Sequence, residues 1–356
     1  MHGTCSSGTM NVAIWLLFLA LTSAAFPAWT MFQRYLSLWI LPFAANMKHL
    51  PELFSAKRVT SYKEARKFKC QASEVLAVYP ILAQFVQTSP MKRGFCIPQC
   101  EAFLSMCLVL DTLQDVALGA IVPHVLRAHV DACLQAFLVA GWGQSMTKKL
   151  HWMLHFGDHL ERFNMLPACW SMERKHKLAN RFANPQNNTT NFERSILQEM
   201  LSHNLAAVAE PGLFDTSLSL LSPRPASQKL KAFMATLFDV QEMQDIISSK
   251  DARVWPGFKC GKGDVVLVRE HASTAAPRFS AAEIWLHVEF QSAARKTITL
   301  TLVSMWAPKA YEPGGLSANW LRQTCPMFIE TNDILACVTY SKTELEATTL
   351  IPASFR

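Results

Sequence analysis

The sequence predicts a mainly α-helical chain that ends in a small all-β domain. Between Ser73 and Trp142, apolar residues recur at steps of three and four, the period of a helix with one buried stripe. From Val265 onward the period falls to two and β-branched residues dominate, as strands require. A stretch rich in Ser, Pro and Gly, from about Glu210 to Ser227, separates the two regimes. At 356 residues, 50% hydrophobic and 17% charged, the chain can build more than one core.

Residues 1–45 form a hydrophobic N-terminal segment. No Asp, Glu, Lys or Arg precedes Arg34, and Val12 to Leu21 is almost purely apolar before Thr22-Ser-Ala-Ala25. This pattern is that of a signal-peptide core or a short membrane anchor through residues 10–32, although it lacks a cationic leader. A hydrophobic core helix or a truncated start are the other readings. Residues 46–145 are expected to be a helical domain. It opens with the basic run Lys48, Lys57, Arg58, Lys63, Arg66, Lys67 and Lys69. A helix follows on Leu76, Tyr79, Pro80, Leu82, Phe85 and Val86, and Pro98 opens a second. Pro123 starts a third, with Val125, Leu126, Val130, Cys133, Leu134 and Phe137 on its apolar stripe, and Gly141-Trp-Gly143 stops it.

Residues 146–206 read as helix, loop, helix, helix, with Pro167 in the loop and Asn184-Pro185 breaking the chain before Phe192 to Leu205. Residues 207–228 are the expected linker. Residues 229–356 begin with an amphipathic helix from Lys229 to Ser248. Strands are predicted at Val265–Arg269, Ile284–Phe290, Ile298–Val303 and Ile334–Tyr340. Four or five short strands suggest a small barrel or sandwich. Its tryptophans Trp255, Trp285, Trp306 and Trp320 are expected in the core, a binding groove being the alternative.

Net charge is +7, from 34 Lys and Arg against 27 acids, which suits a polyanionic partner without demanding one. Ten cysteines are spread along the chain without the density of a disulfide scaffold, so the thiols are expected to be reduced and the protein nuclear or otherwise intracellular. Sequons at Asn187 and Asn188 would matter only on the secretory route.

The chemistry-bearing residues lie in Lys149-Leu-His-Trp-Met-Leu-His155 and Met172-Glu-Arg-Lys-His-Lys177. Histidines four apart share a helix face, so His151 and His155 can converge on one zinc ion. Spacing alone favours two ordinary helix histidines, and His159 is rotated too far to join them easily. Cys96-Ile-Pro-Gln-Cys100 makes a poor zinc knuckle and reads as packing at a helix start. Glu173 is a possible divalent-metal ligand, with Arg174, Lys175, Lys177 and Arg181 around it as phosphate contacts; a solvated helix face is the simpler reading.

These motifs, with Leu166-Pro167, an Asn-x-Thr and Phe192-Glu-Arg-Ser-Ile196, resemble those of transposon-derived proteins of the CACTA-like group. From Tyr35-Leu-Ser-Leu-Trp39 through Lys69-Cys-Gln-Ala-Ser-Glu74 onward, the chain looks like a protist branch of that group, over roughly residues 30–356. The resemblance implies an RNase H-like fold in which three acids bind two divalent metals. It also implies a helical insertion before the third acid and a zinc site joining a Cys-x2-Cys to a His pair. His151 and His155 match that His pair, Glu173 matches the third acid, and the helices from Ser73 to Trp142 match the end of the insertion.

The chain departs from the group's pattern upstream. The first two acids and the Cys-x2-Cys have no counterpart before residue 70, and no Asp precedes Asp111. The fold implied is therefore an α-helical insertion and RNase H-like tail followed by a small barrel or sandwich. The function implied is that of a transposase remnant with an incomplete divalent-metal site and weak zinc affinity, associated non-specifically with DNA. A membrane-anchored or secreted protein, directed by the hydrophobic N-terminus, is the alternative.

Overall fold

A computed structural model describes residues 8–117, 119, 121–166, 192–209, 218–238, 245–254, 258–270, 279–291, 296–311 and 315–355. The chain divides into a helical unit, Met1–Gln33 with Leu50–Asp215, and a β unit, Arg34–His49 with Thr216–Arg356. The expected organisation, mainly α with a C-terminal β region, is the one adopted.

The helical unit is built around its most apolar helix, α1 (Thr9–Ser23). Met10, Ile14, Leu17, Phe18 and Leu21 on it are at most 1% exposed. Phe18 is the hub: its ring centroid lies 4.2 Å from Trp29, 5.7 Å from Phe54 and 5.9 Å from Phe32. Aromatic rings at these separations add edge and offset contacts to the burial of their large apolar area. Helix α2 (Ala28–Leu36) carries the chain from the helical unit into the segment that joins the β unit. The chain returns through a 3-10 turn at Leu50–Phe54 into α3 (Ala56–Ala65).

Helix α3 ends at Arg66, which takes the left-handed conformation (φ 47°) and turns the chain back. Gln71 and Glu74 then form a reciprocal capping box that starts α4 (Ala72–Thr88). Next come α5 (Ile97–Ala117) and α6 (Pro123–Val139), each with its proline in the first turn where no hydrogen bond is lost. Two polar contacts fix their register. Tyr79 on α4 donates to Asp111 on α5 at 2.6 Å, and Thr112 meets His129 Nδ1 on α6 at 2.7 Å. Short helices α7 (Lys148–Met153) and α8 (Phe156–Phe163) follow, and α9 (Phe192–Ala209) closes the described part of the unit.

The β unit holds two antiparallel sheets. Strand β1 (Trp39–Ile40) comes from the detached segment. Then follow β2 (Ser219–Leu221), β3 (Arg224–Pro225), helix α10 (Gln228–Leu237), β4 (Ile247–Ser249), β5 (Asp251–Val254), β6 (Phe258–Gly261) and β7 (Val265–Arg269). Long strands β8 (Phe279–Gln291), β9 (Thr297–Tyr311) and β10 (Ser317–Glu330) form its centre, and β11 (Ile334–Val338), β12 (Tyr340–Lys342) and β13 (Glu346–Leu350) complete it. The larger sheet runs β1-β12-β13-β10-β9-β8-β4-β3, with β7 joining β8 to β11, and the smaller runs β2-β5-β6.

Strict alternation divides the apolar residues between two faces. Val265, Leu267, Ala281, Trp306, Trp320, Tyr340 and Ala347 share one interior, enclosed because the large sheet curls. Val266, Val268, Ala282 and Ile284 point the other way and are covered by Ala252, Val254 and Cys260 of the smaller sheet. Helix α10, capped by Ser227 accepting from Leu230 N, packs Met234 against Val288, Phe290 and Leu300.

Several expectations are corrected. The hydrophobic N-terminal segment 1–45 is not one element: Thr9–Ser23 is buried in the helical unit, while residues from Arg34 onward belong to the β unit. A helix of fifteen residues spans about 22 Å, short of a hydrocarbon core of about 30 Å. Among the described residues no helix is long and apolar enough to cross a membrane. The linker 207–228 contains β2 and β3, whose edges pair with β5 and β4. The helix predicted from Lys229 to Ser248 ends at Leu237, and Ile247–Ser249 is a strand. The predicted strands are present but belong to a larger assembly than four or five short strands, with β8, β9 and β10 running thirteen to fifteen residues. Trp306 and Trp320 are core residues as expected, whereas Trp285 is 39% exposed and Trp255 lies outside the described residues.

The burial of α1 gives a direct test. Phe18→Ala should destabilise the helical unit by about 3–5 kcal/mol, the usual cost of emptying a buried aromatic site. Leu19→Ala, at a position 47% exposed, should change stability little. Urea unfolding followed by tryptophan fluorescence distinguishes the two, and equal small effects would contradict a core role for this helix.

Candidate functional site

The histidine pair is where the sequence places it, though not on one uninterrupted helix. His151 is in α7, and His155 sits in the turn ahead of α8. The turn between them tightens, with Leu154 N donating to His151 O and His155 N to Trp152 O, each three residues back. The rings remain neighbours, with centroids 5.5 Å apart and planes nearly perpendicular at 85°. His155 Nδ1 lies 3.8 Å from Asp158, and both side chains of that pair are more than half exposed. His159 instead stacks on Phe163.

Asp158, which His155 faces, is already engaged. Arg127 on α6 donates to Asp158 through Nε and Nη2 at 3.1 and 2.9 Å, and also to Glu161. These contacts hold the guanidinium's pKa above its ordinary value. Gly157 makes this clamp possible, because a Cβ there would stand 2.2 Å from Arg127 Cγ. Among the described residues no group of three or more His, Cys, Asp or Glu is placed to hold a metal. Glu173, Arg174, Lys175, Lys177 and Arg181 lie outside the described residues, as do the sequons at Asn187 and Asn188. Cys96 and Cys100 behave as helix-start packing: Cys100 N donates to Cys96 O, and the Cys100 thiol is buried.

The basic run after residue 46 has a more definite place. Arg58, Arg66, Lys67 and Lys69 line a cavity of about 690 Å³ in the helical unit, with Trp15 and Asn11 of α1 on its wall. All four cations are exposed, and none has an ion-pair partner among the described residues. Their convergence follows from local geometry. The left-handed turn at Arg66 reverses the chain, and Phe68 then buries itself against Phe54 and Tyr62. The alternate residues Lys67 and Lys69 are thereby left outward. Tyr62 donates to Lys69 O, and Asn11 Nδ2 donates to Cys70 O at 3.2 Å, pinning this strap to α1.

Burial pushes the Tyr62 hydroxyl up to about 12, against the pull of Arg58, so it stays a neutral donor. Burial and the adjacent Glu74 push the Cys70 thiol well above its usual range. Asn11 is 4% exposed and its Oδ1 is buried without a hydrogen-bond partner among the described residues. An unmet buried acceptor costs on the order of 1–3 kcal/mol, so its retention in the cavity wall calls for an explanation beyond packing. The cations are visible in the sequence as a basic run, whereas Asn11 and Trp15 come from the apolar N-terminal helix and nothing in the sequence joins them to it. Comparison with protein-family models, with curated proteins and with solved structures finds no match to this chain.

The exposed rings of His151 and His155 would give zinc two nitrogen ligands, where stable sites use three or four. Weak, readily chelated zinc binding is therefore expected in metal titrations, abolished by His151→Ala with no loss of fold stability. One zinc retained through purification and chelator dialysis would contradict this.

Proposed function

We propose that this chain is a transposase-derived protein that associates with nucleic acid and lacks a complete two-metal catalytic centre of its own. The single observation that carries the association is the cavity lined by Arg58, Arg66, Lys67 and Lys69. Four cations on one surface can neutralise successive phosphates and release their counterions. Trp15 supplies an apolar ring beside them, of the kind on which bases stack in single-strand sites. Backbone contacts of this sort position a strand without reading its sequence, so binding should be non-specific.

The motif resemblance supplies the finer reading. In it the helical unit is the end of a helical insertion with an RNase H-like tail, and Glu173 is the surviving third acid. Arg174, Lys175, Lys177 and Arg181 extend the phosphate contacts, and the β unit is a barrel-like appendage. In-line phosphoryl chemistry needs two divalent ions flanking the scissile phosphate, and one carboxylate cannot hold both.

Two measurements test this. Fluorescence anisotropy with labelled single- and double-stranded oligonucleotides should show affinity falling steeply with salt. For four phosphate contacts on duplex DNA the slope of log Kobs against log salt is about −3.6. Replacing Arg58, Arg66, Lys67 and Lys69 together by alanine should weaken binding more than tenfold and flatten that slope. Salt-independent binding, or no effect of these replacements, would overturn the cavity assignment. With Mg²⁺ or Mn²⁺ the purified chain should neither nick nor join DNA. Nicking abolished by Glu173→Gln would show instead that further acids complete the centre.

A further inference from the structure

Three reactive side chains from separate strands meet in the β unit, where the smaller sheet covers β7, β8 and β11. Cys260 on β6 is 2% exposed, and its Sγ lies 3.9 Å from Nε2 of the fully buried His287 on β8. The other ring nitrogen, Nδ1, is 2.9 Å from Thr301 Oγ1, which is in turn 2.8 Å from Thr331 Oγ1. Cys337 of β11 packs into the same cluster as Cys260, with its Sγ 3.6 Å from Lys259 O, the carbonyl immediately before Cys260. Cys337 is only partly buried, so the cluster touches the surface there. Both thiols are free.

Cys133 shows the ordinary case of a buried cysteine as a small apolar filler. At 0% exposed on α6, it has the Met106 sulfur and the Ser105 hydroxyl beside it and a thiol pushed up by burial to about 11. Cys260 differs in kind. The neighbouring Cys337 thiol lowers its pKa, burial opposes this, and His287 adds to the lowering, so the thiol lies below its ordinary value. Asp264 is the one charged group acting against it. Cys337 is pushed the other way, and Cys260 has the His287 imidazole against its sulfur, so Cys260 is the thiol placed to ionise. A thiolate next to a neutral thiol and an imidazole has both the nucleophile and the resolving partner that reversible thiol oxidation needs.

We propose that Cys260 and Cys337 form a redox-active dithiol which a small hydroperoxide converts into a disulfide tying the smaller sheet to β11, with His287 as the positioning residue. In the first step the Cys260 thiolate attacks the outer peroxide oxygen. The S–O bond forms, the O–O bond breaks, and the departing oxygen takes a proton to leave as water or an alcohol. Cys260 is now a sulfenic acid. Cys337 sulfur then attacks Cys260 sulfur, the S–O bond breaks, and hydroxide leaves with the Cys337 proton as a second water. Two thiols lose two electrons in all, and one peroxide gains them. His287, held by Thr301, keeps the Cys260 sulfur charged and aimed; the reaction is independent of any nucleic-acid binding by the helical unit.

The test uses the full reduced chain, treated with hydrogen peroxide at neutral pH, quenched with an alkylating agent and mapped by non-reducing peptide mass spectrometry. A Cys260–Cys337 crosslinked peptide that disappears on reduction with dithiothreitol is expected. At neutral pH Cys260 should react on the order of tenfold faster than in the same chain unfolded in urea, because a lowered thiol holds more thiolate. Cys337→Ser should stop at a Cys260 sulfenic acid that dimedone captures. His287→Gln should move the pH dependence of Cys260 alkylation upward while the near-ultraviolet circular dichroism of the folded chain stays unchanged, which separates it from loss of packing. Cys260 and Cys337 remaining reduced while exposed cysteines oxidise, or reacting no faster than in urea, would overturn the proposal.

Discussion

The packing of Phe18 against Trp29, Phe32 and Phe54 is the contact on which the helical unit depends. It draws three chain segments, α1, α2 and the turn before α3, onto a common aromatic core. Phe54 extends that core to Phe68, and Phe68 fixes the strap that carries Lys67 and Lys69. The cavity is thus a consequence of apolar packing: cations are held together, against their mutual repulsion, because the residues between them must be buried. α1 contributes Asn11 as the polar exception, spending its amide on Cys70 O and leaving its carbonyl oxygen unmet in the wall.

A different constraint governs the β unit. Strands β7 and β8 are apolar on both faces, so each needs a layer on either side, and the chain supplies them by curling the large sheet and adding the smaller one. Asp264, 4% exposed, closes this arrangement by accepting from Phe43 N at 2.7 Å and Gly261 N at 2.8 Å. It anchors the detached segment Arg34–His49 and the end of β6 to the start of β7. Burial raises its carboxyl above the ordinary range more than the two donors lower it. Since the folded state then holds its proton more tightly than the unfolded chain, this group favours folding at acid pH and loses that contribution as pH rises. The same enclosure brings Cys260, His287 and Cys337 together.

Much of the helical order was legible because it is local. Pro98 and Pro123 mark helix starts, and Gly141, at φ +78°, stands just past the end of α6. Sequence leaves α1 open between anchor and core helix for a physical reason: an all-apolar helix looks the same whether lipid or protein surrounds it, and the aromatic partners of Phe18 lie up to Phe54 in sequence. Strand β10 escaped notice because its pattern is broken by register shifts near Trp320 and Pro326, which reset the alternation. The Ser248 end of the supposed helix was captured by β8, a tertiary pairing that outweighs local helical periodicity. For the sites, the cations of the strap were visible as composition, whereas Asn11 and the Cys260–His287 pair depend on contacts 59 and 27 residues apart.

The surface proposed to meet nucleic acid is the strap from Arg66 to Glu74 with the facing end of α1. Hydrogen–deuterium exchange of the full chain, with and without a short single-stranded oligonucleotide at low salt, tests it most directly. Slowed exchange over Arg66–Glu74 and around Asn11, reversed by raising the salt, is the expected result. Binding that leaves these amides unchanged and protects others instead would contradict it.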